Sequence, residues 1–368
     1  MKKFLFITII SILIFVSCGK KQEIKNYTLE PDYIWEEKNI ISANKTSCEG
    51  MYEDKIFYIQ QKPGDLNRND FVVKIKSLEG DEIKSIVIPQ GKGPGEASQI
   101  LGIKIKNGKI YYGDLALQRV TILDMDGKYI DSFKYNSSKI GFVVYFEIGK
   151  ENFYFNSLTH VFLGQMNMKT GEVLNLIEQE IKTLPENDSV YEGLRMEYDE
   201  KNNNLYVGHM SVPYRIDIYN KNLKKVDQIK HDNILKDTKK MKFYKRMGMG
   251  LRIAGKTIIT SIALDDNYIY SPYMSSNVKF NKEDFKSSID NIEPAILITD
   301  KKTKEIAGKI KIKGIDEIQG IINILGVTDE YIVISLTNYS EEFNLLKKVY
   351  DKDFNNAVMV LKKPEKLK

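Results

Sequence analysis

Residues 103–133 read IKIKNGKIYYGDLALQRVTILDMDGKYIDSF, and this stretch decides the fold of the chain. It contains four short runs in which apolar residues alternate with polar ones, as they do in half-buried β-strands. The turn residues Asn107-Gly108 and Asp126-Gly127 separate these runs at two points, and such pairs favour tight hairpins. The stretch therefore predicts four antiparallel strands that lie side by side in chain order.

The same arrangement of strands and turns recurs about six times along the chain, in units of roughly 40 to 60 residues. The copies span approximately residues 50–88, 103–133, 142–177, 194–229, 257–312 and 321–361. A unit of this size cannot bury both faces of its sheet alone, so the units are expected to pack around a common axis. The repeat predicts an all-β fold, a six-bladed β-propeller with about four antiparallel strands per blade. A strand within Trp35–Ser42 is expected to close the ring against the last blade, and an irregular β-sandwich or barrel is the alternative fold.

The start of the chain has the composition of an export signal. Lys2 and Lys3 precede an apolar run from Phe4 to Val16, which is shorter than the roughly 20 residues of a membrane span. The small Ser17 comes directly before Cys18, so we expect cleavage after residue 17 and a bacterial lipid anchor on Cys18. A plain signal peptide cut elsewhere, or an uncleaved anchor helix, is the alternative.

This organisation predicts a signal peptide at 1–17, a lipid-anchored polar tether at 18–34 and a single propeller domain at 35–368. It places the protein at the cell envelope as an outer-membrane lipoprotein, on either the periplasmic or the surface face. The only cysteines are Cys18 and Cys48, so no disulfide framework is expected once Cys18 is acylated. The formal net charge of +5, with both signs interspersed, argues against nucleic acid as a partner.

The segment from Ile88 to Glu96 reads IPQGKGPGE and has the composition of a tight loop. It lacks the Lys-Ser/Thr ending of a phosphate-binding P-loop, so we interpret it as a structural turn between two blades. The residues of this motif are Gly91, Gly93, Pro94, Gly95 and Glu96. The glycines are expected to supply positive φ angles, and the proline is expected to stiffen the crossing.

With this loop and the 103–133 meander, the chain resembles the six-bladed β-propeller lipoproteins of Gram-negative anaerobes. These form a TolB-like, NHL-like group, many of whose members have no assigned function. The resemblance implies an exported, lipid-anchored propeller that binds a ligand or a partner. It implies no catalytic residues in this chain.

Four polar residues occupy similar places in their repeats, near the end of the second strand or the start of the third: Asp114, Arg119, His209 and Arg215. We expect a buried or inter-blade ion pair between Asp114 and Arg119, and a ligand-facing role for these residues is the alternative. Tyr273 is a further candidate for the ligand face, because an exposed tyrosine can stack on a sugar.

Two stretches interrupt the repeat, and both are predicted to be insertions on one face of the propeller. Residues 231–252 mix Lys and Arg with apolar side chains, and residues 271–292 are rich in Ser, Asn, Tyr and charged residues. The basic segment Lys236–Arg252 suits an acidic glycan, an anionic lipid or a partner protein. A solvated amphipathic insertion is the alternative interpretation.

The sequence favours a binding or scaffold module over an enzyme. His160, His209 and His231 lack the paired spacing of metal ligands, so neither a metal nor a cofactor is predicted. We expect the propeller to bind a glycan, a peptide or a partner protein at one face of its axis. The alternative is a propeller hydrolase or lyase whose site lies at the mouth of the central channel.

Overall fold

The computed structural model describes twelve parts of the chain. They are residues 24–36, 49–63, 69–157, 161–178, 194–209, 214–231, 242–245, 251–254, 258–280, 287–315, 320–338 and 356–368. Cys18, His160, most of the Lys236–Arg252 segment and the signal peptide lie outside these residues. No helix in the described part is long and apolar enough to span a membrane.

Six of the seven sheets in the described residues form the blades, and each of the six corresponds to one of the predicted repeats. Five of these blades have four strands, and the sheet of blade 5 has additional short or edge strands. Blade 1 consists of β3 (Glu49–Tyr52), β4 (Lys55–Pro63), β5 (Asn69–Lys76) and β6 (Glu82–Ile88). Blade 2 consists of β7 (Ile100–Lys106), β8 (Lys109–Asp114), β9 (Arg119–Asp124) and β10 (Tyr129–Lys134). Blade 3 consists of β11 (Val143–Ile148), β12 (Asn152–Ser157), β13 (Val161–Asn167) and β14 (Val173–Glu178). A short helix, α1 (Ser137–Ile140), joins blades 2 and 3.

The remaining blades follow the same order, with additions at the N-terminus and in blade 5. Blade 4 consists of β15 (Leu194–Asp199), β16 (Asn204–His209), β17 (Arg215–Asn220) and β18 (Lys225–Lys230). Blade 5 consists of β21 (Ile258–Ile259), β22 (Ala263–Leu264), β23 (Tyr268–Phe280), β24 (Ser287–Asp300) and β25 (Ile306–Ile312), with β1 (Lys25–Leu29) on its outer edge. Blade 6 consists of β26 (Gly320–Val327), β27 (Tyr331–Asn338), β28 (Asn356–Lys362) and β2 (Pro31–Glu36).

The first strands of the six blades face one another around a central axis. Each of them, β3, β7, β11, β15, β22 and β26, contacts its counterparts in the two neighbouring blades, and β26 returns to β3. The ring is therefore closed, and the predicted six-bladed β-propeller is confirmed. An antiparallel meander places every turn that follows a first strand at the same end of the axis, which we call the turn face.

The N-terminal strands belong to the propeller. Strand β2 pairs antiparallel with β28, from Pro31 opposite Leu361 to Glu36 opposite Ala357, and so closes the ring. Strand β1 pairs parallel with β25. The closing strand thus begins four residues before the predicted Trp35–Ser42, and the tether predicted at 18–34 contains ordered strands from Lys25 onward.

Packing between the blades follows from the apolar alternation of the strands. Their two faces are covered by neighbouring blades, so β-branched and aromatic residues lie on both. Phe153 of blade 3, for example, meets Phe133 of blade 2 edge-on at 5.5 Å between ring centroids, and it also stacks on Phe146 of its own blade at 4.8 Å. Burial of one such side chain contributes about 1.5–3 kcal/mol.

The Gly91–Glu96 loop connects β6 of blade 1 with β7 of blade 2. The amide of Gly93 donates to Oε2 of Glu96 at 2.7 Å, so the loop folds around this carboxylate. A Cβ atom on Gly91 would lie 2.1 Å from the same oxygen, whereas Gly95 has a φ of +76°. Only Gly95 of these three glycines therefore supplies the expected positive φ, and Gly91 is required for space.

Both predicted insertions leave the propeller at the end opposite the turn face. One lies between β18 and β21, and its described residues form a separate two-stranded sheet of β19 (Lys242–Lys245) and β20 (Leu251–Ala254). The other is the extended hairpin of β23 and β24, whose pairing continues to Phe280 opposite Ser287. Both insertions lie on this side because of the direction of the strands beside them. The first strand of a blade begins at this end of the axis, and the second strand ends there.

Candidate functional site

Charged side chains meet in the central channel on three consecutive blades. The first strand of each of these blades ends at a hairpin turn. Lys104, Glu147 and Glu197 each lie two residues before the last paired residue ahead of that turn. The ammonium of Lys104 lies 2.7 Å from Oε2 of Glu147 and 3.8 Å from Oε2 of Glu197. The equivalent positions on the other three blades are Gly50, Ala263 and Gly326, which carry no charge. At these six equivalent positions, the channel therefore carries charge only on blades 2, 3 and 4.

A second lysine continues this network toward the turn face. Lys106 lies 3.0 Å from Oε1 of Glu200 and 3.9 Å from Oε1 of Glu147, and it donates to the carbonyl of Ile148 at 2.7 Å. Two ammonium groups and three carboxylates thus form one chain of contacts along the axis.

The surroundings of Glu197 favour its protonated form. Burial, and then the like charge of Glu147, raise the pKa of Glu197 to about 7. Burial opposes the charged form of Lys104, but the carboxylates of Glu147 and Glu197 outweigh it and raise the pKa of that ammonium. Glu197 can consequently exchange a proton near neutral pH while Lys104 stays charged.

An enclosed cavity of 90 Å³ lies on the axis and is lined by residues from all six blades. We call it the axial cavity. Its charged lining residues are Glu49 on blade 1, Lys104 on blade 2, and Arg195 and Glu197 on blade 4. Most of the remaining wall is apolar, with Phe57 and Ile262 as examples.

The side chain of Arg195 is held by a backbone carbonyl at the point where the first strand of blade 5 is interrupted. Between β21 and β22 the chain leaves the sheet, and the carbonyl of Thr260 accepts from Nε of Arg195 at 2.5 Å. Nη1 donates to the carbonyl of Leu194 at 3.0 Å, and the guanidinium lies 4.1 Å from the ring centroid of Tyr145. Burial lowers the pKa of Arg195.

A larger cavity of 800 Å³ opens at the turn face, and we call it the mouth cavity. It is lined by the turns of blades 4, 5 and 6 and by the C-terminal residues. Its charged lining residues are Glu197, Asp199, Glu200, Lys201, Asp265, Asp266, Lys301, Asp329, Glu330, Lys363 and Lys368. Glu197 lines the axial cavity as well, so the two cavities meet at this side chain.

Carboxylates outnumber ammonium groups in the mouth cavity, seven to four. Its lysines are paired: Lys201 with Asp266, Lys301 with Asp199 and Lys363 with Asp265 at 2.8 Å, and Lys368 with Glu365 at 2.6 Å. Asp329 and Glu330 form no ion pair with the residues that the structure describes. The mouth therefore has an excess of negative charge that is open to solvent.

The sequence-predicted residues Asp114 and Arg119 hold backbone segments of blade 2 in place, and Arg119 contacts the Gly91–Glu96 loop directly. Asp114 accepts from the amides of Ser98 at 2.6 Å and Leu117 at 3.0 Å. Arg119 donates to the carbonyls of Gly93 at 2.7 Å and Glu96 at 2.5 Å. They are cross-strand neighbours, but the expected ion pair between them is absent from the described contacts. Asp114 accepts from backbone amides instead, and Arg119 donates to carbonyls of the loop.

His209 and Arg215 converge on the carboxylate of Asp217, which is 1% exposed. Nε2 of His209 lies 3.0 Å from Oδ2, and Nη2 of Arg215 lies 2.7 Å from it. Lys225 and Gln228 approach the other oxygen at 2.7 and 2.6 Å. Burial opposes ionisation, but these four partners outweigh it and hold the pKa of Asp217 well below its usual range.

The candidate ligand-face tyrosine is also in the core. Tyr273 is 2% exposed and packs with Ile259 and Leu297. Its predicted exposed position is wrong, because the side chain lies in an apolar cluster that also contains Tyr214 of blade 4. Among the described residues there is no group of three or more His, Cys, Asp or Glu side chains that could hold a metal ion.

The sequence interpretation missed the charged residues of the axis. One pattern could have indicated them: Ile103-Lys104-Ile105, Phe146-Glu147-Ile148 and Met196-Glu197-Tyr198 each place a single charge between two apolar residues just before a turn. A charge at the same place in three first strands indicates a shared environment.

Comparison with known proteins supports the fold. No protein-family model matches this chain, and no curated protein matches it. A solved member of the DUF4221 family from Bacteroides vulgatus aligns with a TM-score of 0.64 and 15% identity, over 93% of this chain and 99% of that one. At this identity the likeness shows a common fold.

Two further solved structures align less well. A Bacteroides fragilis protein that is predicted to be exported has a TM-score of 0.47 and 12% identity, over 92% of this chain and 99% of that one. BamB from Moraxella catarrhalis has a TM-score of 0.42 and 11% identity, over 85% and 88%. These values carry no argument about function.

Proposed function

We propose that this protein is a binding module of the cell envelope, and that the mouth cavity receives a basic segment of a partner polypeptide. The observation that carries the proposal is the excess of carboxylates in an 800 Å³ cavity whose lysines are already paired. An extended chain bearing Lys or Arg would meet the unpaired Asp329 and Glu330 first. Complementary charge of this kind gives specificity and fast association.

The lining favours a peptide over a glycan. Sugar sites commonly offer an exposed aromatic face, but Tyr198 is the aromatic residue that lines the mouth cavity. It is 6% exposed and stacks on Tyr154 at 5.5 Å between ring centroids. Charged and amide groups therefore dominate the accessible wall, and these suit a polar peptide.

Fluorescence anisotropy with labelled synthetic peptides tests the proposal. A lysine-rich peptide should bind more tightly than a glutamate-rich peptide of equal length, and Asp329→Asn with Glu330→Gln should weaken it several-fold. Glu178→Gln is the matched control, because Glu178 is an exposed carboxylate on the outer strand β14. Equal binding of both peptides, or equal loss in the control, would refute the proposal.

The lipid anchor belongs to the same proposal. Only six residues, Gly19 to Ile24, separate Cys18 from β1, so an acylated Cys18 would hold the propeller close to a membrane. Cys18→Ala should release the protein from the membrane fraction. Unchanged retention, with no acyl group detected by mass spectrometry, would contradict the anchor.

A second candidate function is a hydrolase or lyase in the channel. It is favoured by the carboxyl pair of Glu147 and Glu197 beside Lys104, because perturbed carboxyl groups near a cavity are frequent in active sites. Turnover of envelope polysaccharides or peptides that disappears in Glu197→Gln would establish it. Equal turnover by the variant would exclude Glu197 as its acid or base.

A further inference from the structure

Two charges in the wall of the axial cavity lack an opposite charge among the described residues. They are the carboxylate of Glu49 on blade 1 and the guanidinium of Arg195 on blade 4. Blades 1 and 4 are three places apart in a ring of six, so the two residues approach the cavity from opposite sides. Each charge requires a partner, because an uncompensated charge in a buried site is unfavourable.

Glu49 is 6% exposed and is held by one hydrogen bond. Ser335 Oγ donates to Oε1 at 2.6 Å, and Oε2 has no hydrogen-bond partner. No lysine or arginine of the described chain forms an ion pair with it. A carboxylate in this state is suited to an ammonium group brought by a ligand.

Arg195 has its orientation fixed by backbone groups rather than by an acid. Its guanidinium donates to the carbonyls of Thr260 and Leu194 and lies against the ring of Tyr145. No carboxylate in the described ranges pairs with it, although the planar guanidinium is suited to a carboxylate. The other two charged lining residues already have partners within the channel network, because Lys104 contacts both Glu147 and Glu197.

The size of the cavity limits the ligand. A volume of 90 Å³ holds about three water molecules at the roughly 30 Å³ that each occupies in the liquid. Covalently bonded atoms pack more closely than separate waters, so the cavity limits the ligand to about five or six non-hydrogen atoms. A ligand with one charge would leave either Glu49 or Arg195 uncompensated. A small zwitterion would compensate both, and the apolar wall would accept a short aliphatic side chain.

We propose that the axial cavity binds a small α-amino acid, with its ammonium group toward Glu49 and its carboxylate toward Arg195. The ligand would enter past Glu197, which lines both the axial cavity and the mouth cavity. This site is distinct from the proposed peptide site, and it does not require that a partner polypeptide bind at the mouth.

Calorimetric titration of the mature protein with matched small molecules tests the proposal. Glycine and alanine should bind and raise Tm. Ethylamine and propionate, which each carry one of the two charges of alanine, should bind at least about tenfold more weakly. Tryptophan should not bind, because it exceeds the cavity.

Glu49→Gln and Arg195→Lys should each weaken alanine binding about tenfold or more, whereas Glu178→Gln should not change it. Asp329→Asn with Glu330→Gln should leave alanine binding intact, so failure of the peptide proposal and failure of this one are distinguishable. If no amino acid binds the wild-type protein, or if propionate binds as tightly as alanine, the proposal is wrong. The wild-type panel gives this answer even if a channel variant does not fold.

Discussion

The ammonium of Lys104 on blade 2 lies 2.7 Å from the carboxylate of Glu147 on blade 3, and the Glu147 side chain is only 4% exposed. This ion pair joins the first strands of two blades that share no backbone hydrogen bonds. It therefore couples the packing of the ring to the electrostatics of the channel.

Replacement of Lys104 by Met should destabilise the protein. Glu147 would keep only Lys106, at 3.9 Å, and a buried carboxylate that loses its main partner costs about 2–4 kcal/mol. The free energy of unfolding in urea measures the effect. Lys201→Met is the control, because Lys201 and its partner Asp266 are both exposed, and it should leave the midpoint unchanged. Equal midpoints for the two variants would contradict the structural importance of the buried pair.

The stability of the protein should decrease as the pH rises from about 5 to about 7, and Glu197 should contribute to this decrease. Its pKa in the folded protein is raised to about 7, so between its usual value of 4.5 and 7 the folded state holds the proton more tightly than the unfolded chain. Raising the pH through this window therefore removes stability.

Glu197→Gln should flatten this part of the curve of unfolding free energy against pH. Glu178→Gln should leave the slope as it is in the wild-type protein. Urea titrations at half-unit pH intervals measure both variants. A wild-type slope in Glu197→Gln would show that Glu197 does not carry the proton.

Asp217→Asn should be among the more destabilising single substitutions outside the channel. It leaves Arg215, Lys225 and His209 around a neutral amide that cannot accept from all of them, and removal of a buried ionic partner costs about 3–5 kcal/mol. The low pKa of Asp217 keeps its contribution intact until the pH falls below about 4. A loss of less than about 1 kcal/mol by urea unfolding would contradict this assignment.

Gly91→Ala and Glu96→Ala should be strongly non-additive. A Cβ atom on Gly91 would displace the Glu96 carboxylate, which would then lose its hydrogen bond from Gly93, so the first substitution alone should cost about 1.5 kcal/mol. Glu96→Ala alone should cost about 1.5 kcal/mol through the lost hydrogen bond from Gly93. The double variant should cost little more than Glu96→Ala, because the obstruction is gone. Additivity within about 0.5 kcal/mol in a double-mutant cycle would contradict the predicted clash.

The hairpins were predictable from the sequence because their signals are local. Asn107 and Gly108 have φ angles of 50° and 67°, as a two-residue hairpin turn between twisted strands requires. Alternation of apolar residues then specified strands, and the repetition of the unit specified a ring of blades. The N-terminal boundary was less predictable, because β1 and β2 are stabilised by β25 and β28 near the other end of the chain.

The candidate ligand residues were placed wrongly for a related reason. Asp114, His209 and Tyr273 were selected by chemical type and by position in the repeat, but the sequence does not show which side of a strand a neighbouring blade covers. In the folded protein each of them is almost completely buried. A polar residue in an apolar strand indicates a structural network as readily as a ligand site.

The sequence by itself determined the strands, their turns and the number of blades, because each depends on residues that are neighbours in the chain. Only the tertiary structure decided which charges share the channel. More than forty residues separate Lys104 from Glu147, and more than forty separate Glu147 from Glu197. Glu49 and Arg195 are even farther apart in the sequence. Their proximity arises when six first strands are held around one axis, and β2 holds that ring closed by pairing with β28.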